Sequence, residues 1–225
     1  MRSHLSYPAP VVADPLAEKD EQRPTQLPDR PQAAAQIVAI AASAGGLRAI
    51  STVLSGLPAN FPAAIAIVQH LDPRHRSLMP QILNRRTALT VKHAEAGESL
   101  QSGTVYFALP NYHLLITGDG CCSLTQSELV HFVRPSADLL FESVAASYQT
   151  KAIAVVLTGT GRDGARGVQA IAEKGGIAIA QDEATAEFFG MPDAAIRTGA
   201  VQFILPLDEI APALIQQVTR LQTTH

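Results

Sequence analysis

The run Ala152-Ile-Ala-Val-Val-Leu157 narrows the folds open to this chain more than any other feature, because every side chain in it is apolar. A strand of that composition has no solvent face. It must lie in a sheet covered on both sides, and sheets of that kind are mainly parallel with helices as the cover. The run leads into Thr158-Gly-Thr-Gly-Arg-Asp-Gly164, and an amphipathic stretch then continues to Lys174, where Gly175-Gly176 stops it. Strand, glycine-rich turn and helix in that order form a unit of an α/β fold.

The same unit recurs earlier. Ile37 to Ala41 is apolar and β-branched and stops at Ser43-Ala44-Gly45-Gly46, after which Leu47, Ile50, Val53, Leu54 and Leu57 repeat at helical spacing. A second run, Ala63 to Val68, ends at Gln69-His70-Leu71-Asp72-Pro73 and leads to a helix carrying Leu78, Met79, Ile82 and Leu83 on one side. Between 88 and 133 short segments such as Thr104 to Ala108 and His113 to Thr117, set apart by Pro110-Asn111 and Gly118-Asp119-Gly120, read as hairpins, an insertion of antiparallel strands. A helix over Ser136 to Ser147, a strand at Ile177 to Ala180, a short helix after Pro192, a strand near 201 to 205 and a terminal helix from Leu207 complete the pattern. The expectation is a three-layer α/β/α, doubly wound, mainly parallel sheet with a small hairpin insertion, formed by residues 36–225. Residues 1–35 hold six of the fifteen prolines and read as a disordered leader or linker.

Composition removes several function classes. The chain has 225 residues, 47% of them hydrophobic and 16% charged, and a formal net charge of −3, so it has no basic excess for a phosphate backbone. Nucleic acid is not an expected partner. The two cysteines, Cys121 and Cys122, are adjacent, which fits neither a metal-ligand spacing nor a secreted disulfide framework, and no apolar run is long enough to cross a bilayer. A cytoplasmic setting, without membrane insertion, is the expectation.

In an open parallel sheet the carboxyl ends of the strands face one crevice where strand order reverses. Ser43, His70 and Asp163 all stand at such ends. Each has a plain structural reading: Ser43 and Asp163 as helix caps, His70 as a residue closing a strand. Together they have a chemical one. Small neighbours let the chain turn sharply at Ser43 as in a nucleophile elbow, although Ala41 leaves Gly-x-Ser-x-Gly half met. The imidazole of His70 can take the serine proton, and Asp163 can orient the ring. His75, His93, His113 and His131 compete for the role of base, and His4 and His225 lie near the termini. The turn after Leu157 also matches Gly-x-Gly-x-x-Gly, with Asp182 downstream, as a dinucleotide site would; against this, Asp163 would set a carboxylate beside the pyrophosphate.

Taken together, Ala42-Ser43-Ala-Gly-Gly46, Val68-Gln-His70, Arg134-Pro-Ser136 with Asp138, Leu157-Thr-Gly-Thr-Gly-Arg-Asp-Gly164, and Ala180-Gln-Asp-Glu-Ala184 with Gly190-Met-Pro192 resemble the catalytic domain of the chemotaxis receptor protein-glutamate methylesterases. The resemblance covers residues 36 to about 220. It implies that Ser43 is the nucleophile, His70 the base and Asp163 its orienting acid, with the Thr160 N–H an oxyanion donor and Ala44, Gly45, Gly46 and Gly161 positioning substrate. It further implies hydrolysis of γ-glutamyl methyl esters on chemoreceptor helices to glutamate and methanol, with no metal or organic cofactor, with glutamine deamidation in some members and a methyltransferase or signalling protein as a further partner. Ala44 stands where the family often has Thr, and Thr160 where it often has Met. The leader does not have the composition of the family's receiver domain, so a form without one is expected. A non-catalytic module binding receptor helices through the same cleft is the other reading the residues leave open.

Overall fold

The computed structural model describes residues 32–70 and 78–223. In chain order these form β1 (Ile37–Ala42), α1 (Gly46–Ser55), β2 (Ala64–Gln69), α2 (Met79–Leu83), β3 (Thr90–His93), β4 (Thr104–Phe107), β5 (His113–Ile116), β6 (Cys122–Thr125), α3 (Ala137–Tyr148), β7 (Ala152–Val156), α4 (Ala165–Glu173), β8 (Ile177–Gln181), α5 (Gly190–Ile196), β9 (Phe203–Leu205) and α6 (Leu207–Thr223). The expected leader up to residue 31, and Leu71, Asp72, Pro73 and His75, lie outside the described residues. Ala34, near the end of the stretch 1–35 expected to be a disordered leader or linker, is buried, and its N–H donates to Leu100 O at 2.8 Å.

Seven strands form one parallel sheet in the order β3-β4-β2-β1-β7-β8-β9. From β1 the chain first builds outward through β2 and later returns to the other side through β7. The reversal point therefore lies between β1 and β7, where an open α/β sheet forms its crevice.

Alternation along the central strands assigns the two covers. Val38, Ile40, Ile65, Ile67, Ile153 and Val155 face α1 and α6, where they meet Ile50, Leu54, Ile210 and Leu214. The opposite face is built largely of alanine, with Ala39, Ala41, Ala64, Ala66, Ala152 and Ala154 against Leu140, Phe141 and Val144 of α3 and Val168 of α4. Branched side chains fill the wider gap, and burying each contributes about 1.5–3 kcal/mol. Alanine shortens the distance on the other side. Helix α3 consequently lies close to β1, and α4 packs tightly on α3: a Cβ on Gly167 would come within 2.5 Å of Phe141 Cβ.

One expectation needs correction. Thr104–Phe107 is not part of a hairpin; β4 pairs in parallel with both β2 and β3, inside the main sheet. Only β5 and β6 are antiparallel. Val105, Tyr106 and Phe107 are all buried, which is the signature of a strand covered on both faces rather than of a half-exposed hairpin.

Candidate active site

Three strand ends converge on the reversal point. Backbone bonds extend the sheet by one step on either side of β1: Leu157 N–H donates to Ala41 O at 2.9 Å, Ser43 N–H to Thr158 O at 3.0 Å, and His70 N–H to Ala42 O at 3.0 Å. Ser43 is thereby fixed between the turn that carries Asp163 and the strand that carries His70. The chain then turns through Gly45, which has φ 77° and precedes α1. A side chain at Gly45 would be strained in that conformation, and its Cβ would come within 2.9 Å of Glu187 Oε2.

His70 Nε2 is 2.8 Å from Asp163 Oδ2. Asp163 is buried and fully partnered: Oδ2 also accepts from Ala137 N–H at 2.6 Å, while Oδ1 accepts from Ser136 Oγ at 2.8 Å and from Asp138 N–H at 3.1 Å. Burial opposes its charge, but the bonds from His70, Ala137 and Asp138 outweigh burial and hold the carboxyl below the usual carboxylate range. Two of those donors are the first amides of α3, so the carboxylate also sits at the positive end of a twelve-residue helix. With Nε2 committed to Asp163, the ring nitrogen left for another partner is Nδ1. Among the described residues, Ser43 Oγ and His70 Nδ1 make no hydrogen bond; the two residues are neighbours through the backbone, at adjacent strand ends joined by His70 N–H to Ala42 O.

Two neighbours that the sequence placed in motifs but gave no role hold the site together. Gln69 Nε2 donates to Ser43 O at 2.7 Å and to His70 O at 3.1 Å, tying the two turns together. A polar residue ending an otherwise apolar strand was the signal for it. Asp138 Oδ1 accepts from Gly164 N–H at 2.9 Å and Gly167 N–H at 2.8 Å, fixing the start of α4. Those are the amides that a pyrophosphate would need, so the dinucleotide reading fails on a buried carboxylate already in place. His113, a competing base by sequence, is fully buried: Nε2 bonds Glu128 O at 3.0 Å and Nδ1 accepts from Ser136 N–H at 3.1 Å. His93 lies in β3.

Of the remaining expected residues, Gly46 has its N–H committed to Ser43 O at 2.9 Å, so it is no oxyanion donor, and it lines the cleft instead. Ala44 and Thr160 have N–H groups without an acceptor among the described residues. Gly161 lines a hollow beside Thr160, His70 and Asp163. The crevice opens to both sides. On the Ser43 side is a cleft of about 580 Å³ that includes Arg48, Arg86 and Glu187; on the His70 side are two hollows of about 390 Å³ each, both bordered by Phe132. No group of three or more His, Cys, Asp or Glu residues among those described is placed to hold a metal ion. The arrangement suits nucleophilic attack by a hydroxyl with an oriented imidazole as base.

Comparison with known proteins agrees with that chemistry. A family model described as CheB methylesterase matches residues 38–214. A protein-glutamate methylesterase/protein-glutamine glutaminase 2 of Burkholderia lata is 46% identical over 197 residues, 88% of this chain and 58% of that protein. A putative protein-glutamate methylesterase/protein-glutamine glutaminase of Leptospira interrogans is 43% identical over 181 residues, 80% of this chain and 94% of that one. The CheB methylesterase catalytic domain of Thermotoga maritima superposes with a TM-score of 0.78 at 38% identity, covering 80% of this chain and 97% of that domain. The chain spans somewhat more than half the length of the Burkholderia relative, and 54% of a similar one from Cupriavidus pinatubonensis.

Proposed function

The chain belongs to the CheB methylesterase family, and from that premise we propose that residues 36–225 are a catalytic domain that hydrolyses γ-glutamyl methyl esters on chemoreceptors. The observation that carries this reading is the 2.8 Å bond between His70 Nε2 and a fully partnered Asp163, beside Ser43 at the reversal point of the sheet. Ser43 Oγ attacks the ester carbonyl carbon while its proton passes to His70 Nδ1, and Asp163 stabilises the imidazolium that results. The oxyanion is held by the Thr160 and Ala44 N–H groups. As the tetrahedral intermediate collapses, the C–O bond to the methoxy group breaks and His70 returns the proton, releasing methanol. A water then attacks the acyl-enzyme, its proton taken by Nδ1, and glutamate leaves as Ser43 regains its hydrogen. A primary amide can follow the same course with ammonia as the leaving group, which fits the glutaminase in the relatives' names. The partners are then the methylated cytoplasmic segments of a chemoreceptor and, upstream, the methyltransferase or signalling protein of the same system. None of the described helices is long and apolar enough to cross a membrane, in keeping with an enzyme acting in the cytoplasm.

The test is methanol release from methylated receptor membranes. Ser43→Ala is expected to lower it by several orders of magnitude, and full activity in that variant would sink the assignment.

A further inference from the structure

Beside His70, a tight hairpin does something local chemistry disfavours. Val130 and Val133 exchange backbone hydrogen bonds of 3.2 and 2.9 Å, so His131 and Phe132 are the two central residues of the turn. Both have positive φ, 49° and 65°. A two-residue turn of that kind takes Asn-Gly or Asp-Gly by preference, because a bulky side chain at positive φ is strained. Yet the second position holds a phenyl ring that is 94% exposed, the barest large apolar side chain among the described residues. Nothing in the fold needs that ring. The stem beneath it is nevertheless firmly braced: Arg134 donates to Asn111 Oδ1 at 3.0 and 2.7 Å and to the carbonyls of Gln126 and Ser127 at 2.9 and 2.7 Å, and His131 Nε2 lies 3.3 Å from buried Asp138 Oδ2.

The ring stands between the two hollows, each of which also contains His70. A side-chain ester that reaches Ser43 brings its polypeptide across this ground. The charges lining the cleft on the Ser43 side and the hollows on the His70 side have one prevailing sign. Arg48 and Arg86 line the cleft, Arg134 and Arg162 line the hollows, and none of the four forms an ion pair with a carboxylate among the described residues. Glu187 and buried Asp163 are the acidic residues of the same walls.

Building on the esterase reading, we propose that Phe132 is a docking ridge for the substrate polypeptide: an apolar side chain flanking the esterified glutamate rests on the ring, and neighbouring carboxylates of the same acidic segment face the arginines. An exposed ring on a rigid, strained turn is preorganised for contact and costs little order on binding. Strain is kept where the ring is useful.

The decisive experiment uses the full chain with Phe132→Gly, which suits the turn and leaves no cavity, and with Phe132→Leu, which restores an apolar side chain. Methanol release from methylated receptor membranes is compared with hydrolysis of 4-nitrophenyl acetate, a small ester that cannot span the ridge. For Phe132→Gly we expect a Tm at or above that of the wild type and a KM for receptor raised about ten-fold, with the loss on receptor at least five-fold larger than on the small ester; Phe132→Leu recovers most of it. Equal losses on both substrates, or an unchanged receptor KM, overturn the ridge and leave the esterase reading standing. If the wild type cleaves the small ester but releases no methanol from the membranes, the receptor reading fails and the ridge with it.

Discussion

Ser43 owes its position to neighbours that lack side chains. A Cβ added to Gly159 would fall 2.9 Å from Ser43 Cβ and 2.4 Å from Met191 Sδ, so the serine turn lies directly against the bare backbone of the next strand's turn. Met191 is flexible enough to yield, but Ser43 Cβ is held by Gln69 and by Thr158 O. Gly159→Ala is therefore expected to push the proposed nucleophile out of line, with a stability loss of about 1–3 kcal/mol and an activity loss of about 100-fold or more, since an ångström-scale displacement of a reacting group has that effect. Thermal unfolding and the rate of labelling by a serine-reactive phosphonate measure the two effects separately, and wild-type labelling in the variant would refute the contact argument. Gln69 acts through the same backbone. A Cβ on Gly46 would meet Gln69 Oε1 at 1.9 Å and Ala42 Cβ at 2.9 Å, so glycine leaves room there for the Gln69 side chain and for β1 although the position is not left-handed.

At the scale of elements, the organising piece is the start of α3. Ser136 caps it, accepting from Leu139 N–H at 3.5 Å while donating to Asp163, and the first amides of the helix take the same carboxylate. Asp138 in that first turn then holds the beginning of α4, so two helices and the charge that orients His70 share one junction. Ser136→Ala is expected to cost about 0.5–2 kcal/mol for the cap. It also deprives Asp163 of one of its donors, so the carboxyl rises toward its ordinary value. Because a depressed carboxyl pKa adds stability above the ordinary carboxylate range and loses it as pH falls, the wild type has more of this stability to lose, and its advantage over the variant in urea midpoint should narrow between pH 5 and 3. Sequence alone gave little hint of this junction. Arg134-Pro-Ser136 with Asp138 belongs to the motif set behind the family resemblance, but the role of these residues depends on a contact between segments some twenty-five positions apart. The strand-turn-helix units were legible because apolar runs and glycine turns are local signals; β4 was misassigned because four residues between turns look alike in a hairpin and in a buried parallel strand.

On the scale of the whole molecule, the sheet order explains why residues 43, 70 and 163 meet at all: the reversal between β1 and β7 turns three distant turns into one crevice. The reversal itself was expected from the pattern, whereas the alanine face that lets α3 approach, and the antiparallel pair β5 and β6 beside it, acquire meaning only in three dimensions. His113 is the link between that pair and α3. It is fully buried, and burial is the main influence holding its pKa below 6.5, with Arg134 acting in the same direction and the Glu128 carbonyl and Asp163 against. With Nδ1 already accepting from Ser136, the folded protein has no place for a second ring proton. The unfolded chain does. A histidine whose folded pKa is depressed favours the unfolded state as pH falls below its ordinary value, so this residue should withdraw stability from pH 6.5 downward, by at most about 1.4 kcal/mol per pH unit for the single proton involved. Gln in its place keeps an acceptor and a donor without titrating. The urea midpoint of the wild type is thus expected to fall between pH 7 and 5 more steeply than that of His113→Gln, and the His113 imidazole should titrate below the ordinary histidine value by NMR. Parallel curves for the two proteins, or an imidazole titrating at or above the ordinary value, would show that His113 is not what couples the fold to acid.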